Sequence, residues 1–293
     1  MDKLSPIVPP VRPEFEHKEI AAGNIGEVQR QLSSWERIRN NNFARKAFIL
    51  IVLASAWQIY ATWLNNELMF PKFSQAMTAL WDALVNGPLL DRIFTTLKVL
   101  FIGYGSGLLL AGLFTSLAIT TRFGRDLLET LTSMFNPLPA IALLPLALLW
   151  FGLGIPSLVF VIVHSVLWAV SLNAHSGFMS VSETQRMAGM NYGLKGLPYV
   201  GRILIPAAFA SILAGLKIGW AFAWRTLIAA ELVFGVSSRS GGLGWFIFEN
   251  RNQLETAYVF AGLVAVIIIG LFVENVVFRT IEAKTVRRWG MQR

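Results

Sequence analysis

TLTSMFNPLPAIALLPLALLWFGLGIPSLVFVIVHSVLWAVSLNAHSGFMSVS, residues 130–182, runs for 53 residues without a formal charge. About 20 apolar residues carry one helix across a bilayer. The block therefore holds two crossings, with GLGIPS (152–157) as the turn between them. Uncharged runs recur on either side: 20 residues between Lys46 and Glu67, 23 between Lys98 and Arg122, and 18 between Glu255 and Glu274. A less apolar segment, 208–234, contains Lys217, Arg225 and Glu231. Six spans are expected: 47–65, 97–119, 130–151, 157–175, 208–234 and 256–277. The fold class is all-α, a polytopic membrane protein.

Composition agrees. The 293 residues are 55% hydrophobic and 14% charged, with a mean hydropathy of +0.56. Soluble domains carry about 25% charged residues, so a disordered chain is excluded and an ordinary cytosolic enzyme is disfavoured. The absence of cysteine removes disulfides, thiolate metal sites and a cysteine nucleophile. No cofactor and no metal are expected. His164 and His175 are isolated and read as satisfied span histidines.

The first apolar run starts near Ala47, too late for a signal peptide, so none is expected. Residues 1–22 contain four prolines and mixed charges and read as disordered. Ile25, Val28, Leu32, Trp35 and Ile38 then recur at helical spacing, with Arg30, Arg37 and Arg39 among them. That pattern fits an amphipathic helix on the membrane surface, or a solvated helix with a chance stripe. With the N-terminus inside, 18 Lys and Arg lie on the inner side and 5 on the outer, with two more inside the fifth span. Positive charge favours the cytoplasm. Both termini are thus expected there, and the net charge of +8 reflects topology, not a nucleic-acid surface. Three regions result: a cytoplasmic tail with its amphipathic helix (1–46), the transmembrane domain (47–277) and a basic cytoplasmic tail (278–293).

One inner loop, 176–207, is longer than a connector needs. Ser182 suits an N-cap, with Glu183 and Gln185 following. Thr184 to Tyr192 can form a short helix that Gly193 ends. A second segment, Leu194 to Ile205, is expected to be broken by Pro198 and Pro206. Such a hairpin suits docking; a plain connector has the same composition.

Here the sequence resembles a known family. Met187-Ala188-Gly189, then Gly193, then Ile203 and Ile205-Pro206 follow the spacing of the signature loop of binding-protein-dependent ABC transporter permeases. In that loop Glu-Ala-Ala is followed, after three residues, by Gly, and after nine more by Ile-x-Leu-Pro. Two triplet positions and the Leu differ here. FNPLPAIALLPLALLWFGLG (135–154), ILAGLKIGWAFAWRTLIAAELV (212–233) and GGLGWFIFE (241–249) are similar to the third span, fifth span and external loop of the nitrate/sulfonate/taurine (bicarbonate) branch.

The resemblance implies the membrane subunit of an ATP-driven importer, with six helices in a type I ABC importer permease arrangement in a bacterial inner membrane. It implies as partners an ABC ATPase subunit dimer, a periplasmic or lipid-anchored substrate-binding protein and a second copy of the chain. No G-x-x-x-x-G-K-[ST] run occurs, so this chain carries no phosphate-cradling loop of its own. Thr184, Met187, Ala188, Gly189, Met190, Gly193 and Pro206 are then the candidates for coupling to the ATPase. Small residues at Gly103, Gly107 and Ala111, and at Gly215, Gly219 and Ala223, fit close helix packing within the subunit or between subunits.

Span three carries Pro137, Pro139 and Pro145, which bend a helix into either a pathway wall or a static kink. Arg225, beside Trp220 and Trp224, suits a small oxyanion through paired N–H donors, or else bonds to carbonyls or an acid on another span. Glu231 lies near the outer end of its span, where it can hold the external loop. It is grouped with Arg225, Trp220, Trp224, Pro137 and Pro139 as a pathway candidate. Lys217 reads as snorkelling. Gly241, Gly242 and Gly244 with Trp245, Phe246 and Phe248 suit a gate, a binding-protein contact or an interface anchor.

The competing function is a self-sufficient secondary transporter or channel. It is disfavoured by the absence of a clear inverted repeat and by the scarcity of buried carboxylates, Glu231 and Glu274 being the only candidates. A membrane enzyme is disfavoured because no nucleophile–base pair and no His-rich cluster is present.

Overall fold

The computed structural model describes residues 41–234 and 241–290. The expected amphipathic helix at 25–38 lies outside the described residues. The chain divides into two compact units, Met1–Leu53 and Ala54–Arg293. Helix α1 (Asn42–Leu64) begins in the first, and α2 onward lies in the second.

Every regular element among the described residues is helical. After α1 come α2 (Phe73–Val85), α3 (Leu89–Thr120), α4 (Arg122–Phe135), α5 (Leu144–Phe151) and α6 (Ile155–Met179). Then follow α7 (Glu183–Asn191), the single turn α8 (Gly196–Tyr199), a π turn (Val200–Leu204) and α9 (Ile205–Phe234). The chain continues through α10 (Leu243–Asn252), α11 (Thr256–Phe272), a second π turn (Val273–Phe278) and α12 (Arg279–Lys284). Among the described residues, five helical stretches are long and apolar enough to cross a membrane, or six if the bent α4–α5 pair is one crossing.

The core forms around α6. Leu158, Val161, Ile162 and the run Val166–Val170 are all buried, because α3 packs on one side of α6 and α9 on another. α3 reaches it through Gly103 and Gly107, where an added Cβ would lie 2.8 Å from Ile162 and Val166. α9 reaches it through Gly215 and Gly219, where the same atom would meet Asn173 and Val170 at 2.8 and 2.7 Å. The small-residue faces thus serve packing within the subunit. Large apolar residues on the other side of α3, such as Phe94, Phe101, Leu109 and Leu113, point outward.

Four expectations need correction. First, span three (130–151) is not one helix. α4 and the segment containing α5 meet at 87°. Pro137 and Pro139 lack N–H donors, so α4 stops with Asn136 as its C-cap, still in helical geometry, and the chain turns extended at Pro139 (φ −60°, ψ 120°). Pro145, by contrast, lies in the first turn of α5, where its missing donor costs nothing. Second, span two starts at Leu89, not 97. Asp91, Arg92 and Lys98 ride on the end of α3, whose 32 residues reach about 48 Å. Third, Pro198 and Pro206 do not break the second arm of the loop. Pro198 lies inside the turn α8, and Pro206 is the second residue of α9. The π turn ahead of Pro206 shifts the hydrogen-bond register, with Ile205 N–H donating to Val200 O, and this absorbs the missing donor. Fourth, Lys217 does not snorkel. Its Nζ lies 2.6 Å from Glu282 on α12. The described part of the C-terminal segment, 278–290, is correspondingly tied down: Phe278 and Val286 are buried, and Trp289 packs on Phe209.

Candidate functional site

At one end of α9 stands the hairpin. Ser182 is extended and its Oγ accepts Gln185 N–H, which starts α7. Gly193 ends it at φ +73°, in the left-handed region that favours glycine. Gly193 N–H donates to Met190 O and Leu194 N–H to Gly189 O. The rear of α7 is anchored twice. Arg186 donates to Phe178 O at 2.7 Å and Val181 O at 3.2 Å, joining α7 to the last turn of α6. Gly189 is buried, and a Cβ there would sit 2.9 Å from both Ile203 and Tyr199. The front is open: Thr184, Met187, Ala188, Met190 and Gly193 are exposed, and Tyr192 is 85% exposed. An anchored helix that turns Met and Tyr to solvent is an unfinished surface. Of the coupling candidates, Gly189 seats the helix and Pro206 is half-buried at the start of α9; the other five lie on the open face.

A cavity of about 340 Å³ lies between the α4–α5 break, α6 and α9. Pro137, Pro139 and Asn136 supply one wall, His164, Ser165 and Trp168 a second, Phe222, Arg225 and Thr226 a third. Arg225 Nε donates to Ala221 O one turn back, and the guanidinium lies 5.2 Å from the Phe222 ring. Among the described residues no carboxylate pairs with Arg225. Arg225, itself exposed, is thus the one charged residue in a lining that is otherwise uncharged and mostly apolar. Both ring nitrogens of His164 and the indole nitrogen of Trp168 are buried without a hydrogen-bond partner. Phe135, the last residue of α4, stacks on Trp168 at 5.4 Å and meets His164 edge-on at 6.2 Å.

The structure brings together only part of the expected pathway set. Arg225, Pro137 and Pro139 share the cavity. Trp220 and Trp224 do not: both are buried in the core, and Trp220 packs on Phe101, Tyr104 and Phe278. At 100° per residue, Trp224 points a quarter-turn away from Arg225. His164 was expected to be satisfied and is not, and Trp168 was not expected. Their spacing of four puts them on one face of α6, and that periodicity was the available signal.

Glu231 is elsewhere, at the end of α9 remote from the hairpin, and fully buried. Thr96 Oγ1 on α3 lies 3.0 and 2.9 Å from its two carboxylate oxygens. Gly244 N–H donates to Oε2 at 2.9 Å, and Leu243 N–H donates to Thr96 Oγ1 at 2.7 Å. The glycines are required here. A Cβ at Gly242 would collide with Glu231 and Thr96, and one at Gly244 would lie 2.6 Å from Glu231 Cβ. Arg92 adds a second tie, donating to Gly241 O at 3.0 Å and to Glu249 at 3.2 Å. The expected external loop at 241–249 is mostly the helix α10. At the same end, the Asp82 carboxylate on α2 accepts from Asn86 Nδ2 and from Tyr258 OH. These bonds, Asn86 first, hold its pKa below the ordinary carboxylate value.

Comparison with known proteins agrees with this architecture. The chain is 27% identical over 225 residues to a putative aliphatic sulfonates transport permease protein of Escherichia coli, covering 76% of this chain and 84% of that one. It is 27% identical over 241 residues to a nitrate import permease protein of Synechocystis, covering 79% and 85%. A crystal structure of an amino acid ABC transporter shares the fold with a TM-score of 0.54 at 18% identity, over 71% of this chain and 98% of that one. Residues 103–286, which hold the hairpin, the cavity and the buried Glu231, match the family described as binding-protein-dependent transport system inner membrane component, and the chain belongs to that family.

Proposed function

We propose that this chain is the conducting subunit of an importer for a small oxyanion of the sulfonate or nitrate class, driven by a separate ATPase that grips the open face of α7. One observation carries the first part: α7 is anchored from behind by Arg186 and Gly189 while Met187, Met190 and Tyr192 face solvent. Methionine adapts to a groove, and Ala188 allows close approach. In this assignment the hairpin lies in the cytoplasm with both termini, the membrane is a bacterial inner membrane, and α10 faces outward toward a soluble binding protein. Two copies of the chain flank the pathway. The regions are a tail (1–46), the permease domain (47–277) and a C-terminal segment (278–293).

The cavity supports the substrate class. Arg225 has no acidic partner among the described residues, so its charge is available to a planar or tetrahedral oxyanion. The unpartnered His164 and Trp168 nitrogens line the same space and can add N–H donors. The test is uptake by the reconstituted complex with Arg225→Ala and Arg225→Lys. Loss of charge-assisted bonds of about 1.5–3 kcal/mol weakens apparent affinity by about 10- to 150-fold in the Ala variant. Lys restores part of it. Normal sulfonate and nitrate uptake by an assembled Arg225→Ala complex would remove Arg225 from the pathway. Uptake that survives ATP depletion but stops when ion gradients collapse would replace the importer by a secondary transporter.

A further inference from the structure

α9 has the hairpin at one end and the Thr96–Glu231 junction at the other. Its 30 residues span about 45 Å. At the hairpin end, the π turn Val200–Leu204 runs directly into α9, and α7 rests on that turn through Gly189. At the far end, two fully buried side chains join three helices. Thr96 belongs to α3, Glu231 to α9, and both hold the first turn of α10 through Leu243 and Gly244 N–H. These N–H groups have no partner within their own helix. Among the described residues, no cation is a hydrogen-bond partner of Glu231. Burying a carboxylate is expensive. A purely structural contact between helices in lipid needs none, as the glycine-mediated α3–α6 and α6–α9 seams show. What the carboxylate adds is direction and stiffness: it accepts from two neighbouring elements at once, at a point where Gly242 and Gly244 bring the backbones together.

We propose that Thr96 and Glu231 are positioning residues of the transport cycle. They make α10 a rigid extension of α9, so that displacement of α7 at the cytoplasmic end is delivered to α10 on the outer face. This rests on the assignment of α7 as the ATPase grip. A binding protein pressing on α10 displaces α7 through the same rigid junction, and the affinities of the two partners are linked through it. The junction thus carries the stimulation of ATP hydrolysis by the loaded binding protein, not hydrolysis itself.

The test uses the full complex in proteoliposomes, with Thr96→Val, which keeps the shape and removes the hydroxyl, and Glu231→Gln, which keeps an acceptor for Gly244. Basal ATP hydrolysis, its stimulation by solute-loaded binding protein, uptake, and amide hydrogen exchange of 243–252 are measured. Thr96→Val is expected to raise exchange in α10 and cut both stimulation and uptake by about tenfold or more, the factor for one lost bond to a charged group. Basal hydrolysis stays within about twofold, and Glu231→Gln falls between Thr96→Val and wild type, since it loses one charge but not the Gly244 bond. Faster exchange in α10 with unchanged stimulation would overturn the proposal, leaving a structural clasp only. So would proportional loss of basal and stimulated hydrolysis in both variants, which reports a displaced subunit. If the wild-type complex shows no ATP-driven uptake, the grip assignment itself fails and takes this proposal with it. Wild-type coupling with wild-type-like variants rejects this proposal alone.

Discussion

Gly193 separates two explanations of the hairpin. It sits at φ +73° with nothing within 4 Å of an added Cβ. Substitution there has no steric consequence and acts through the backbone alone. An L-residue in the left-handed region costs about 1–2 kcal/mol, and Asn less because it visits that region readily. Gly193→Ala therefore lowers the ratio of closed to open hairpin by a factor of about 5–30, and Gly193→Asn recovers most of the loss. Only the local bonds Gly193 N–H to Met190 O and Leu194 N–H to Gly189 O are at stake. The rest of the molecule, and its thermal stability, should not change. The assay is co-purification of the ATPase with the permease, followed by ATP-driven uptake in proteoliposomes. Both should fall in the order wild type, Asn, Ala. Wild-type assembly and uptake in Gly193→Ala, or Asn as poor as Ala, would refute the reasoning, because the first denies the turn a role and the second denies the backbone mechanism.

Gly107→Leu should lower the melting temperature of the purified permease, since even a Cβ there lies 2.8 Å from Val166 and overpacking costs about 1–3 kcal/mol. An added Cβ at Gly112 on the same helix meets nothing within 4 Å, and Gly112→Ala should melt no lower than wild type. Asp82→Ala should loosen the contact of α2 with α11 at neutral pH. The Asp82 pKa is lowered in the fold, so its contribution is present above the ordinary carboxylate value and fades as pH falls through the lowered one. The gap in melting temperature between wild type and variant should close on acidification; a gap independent of pH would contradict the Asn86 and Tyr258 bonds.

The hairpin was legible because its signals are local. Ser182 starts α7, Gly193 stops it, and both lie within a few residues of the bonds they make. The spans were legible in number but not at their ends. Lys98 looks like a boundary in a hydropathy count, yet α3 carries it, with Arg92 tied to α10. Pro137 and Pro139 announced a bend, but its size depends on where α4 and α5 find packing partners, and that gives 87°. α2 was missed because its 13 residues, interrupted by Asp82, are too short to register as a crossing. Glu231 is the clearest limit. Its burial cost was readable, but Thr96 is 135 residues away and Gly244 lies across a loop. Arg225 was readable as unusual; that it faces His164 and away from Trp220 and Trp224 follows from the rotation of α9 against α6.

The measurement that bears most directly on the whole account uses the absence of cysteine. Met190→Cys places a single thiol on the open face of α7, where Met190 is 58% exposed. A membrane-impermeant maleimide should label it in inside-out vesicles and not in right-side-out ones, and the bound ATPase should block the labelling. Labelling from the external side, or labelling that the ATPase leaves unchanged, would contradict a conduit worked from its cytoplasmic hairpin.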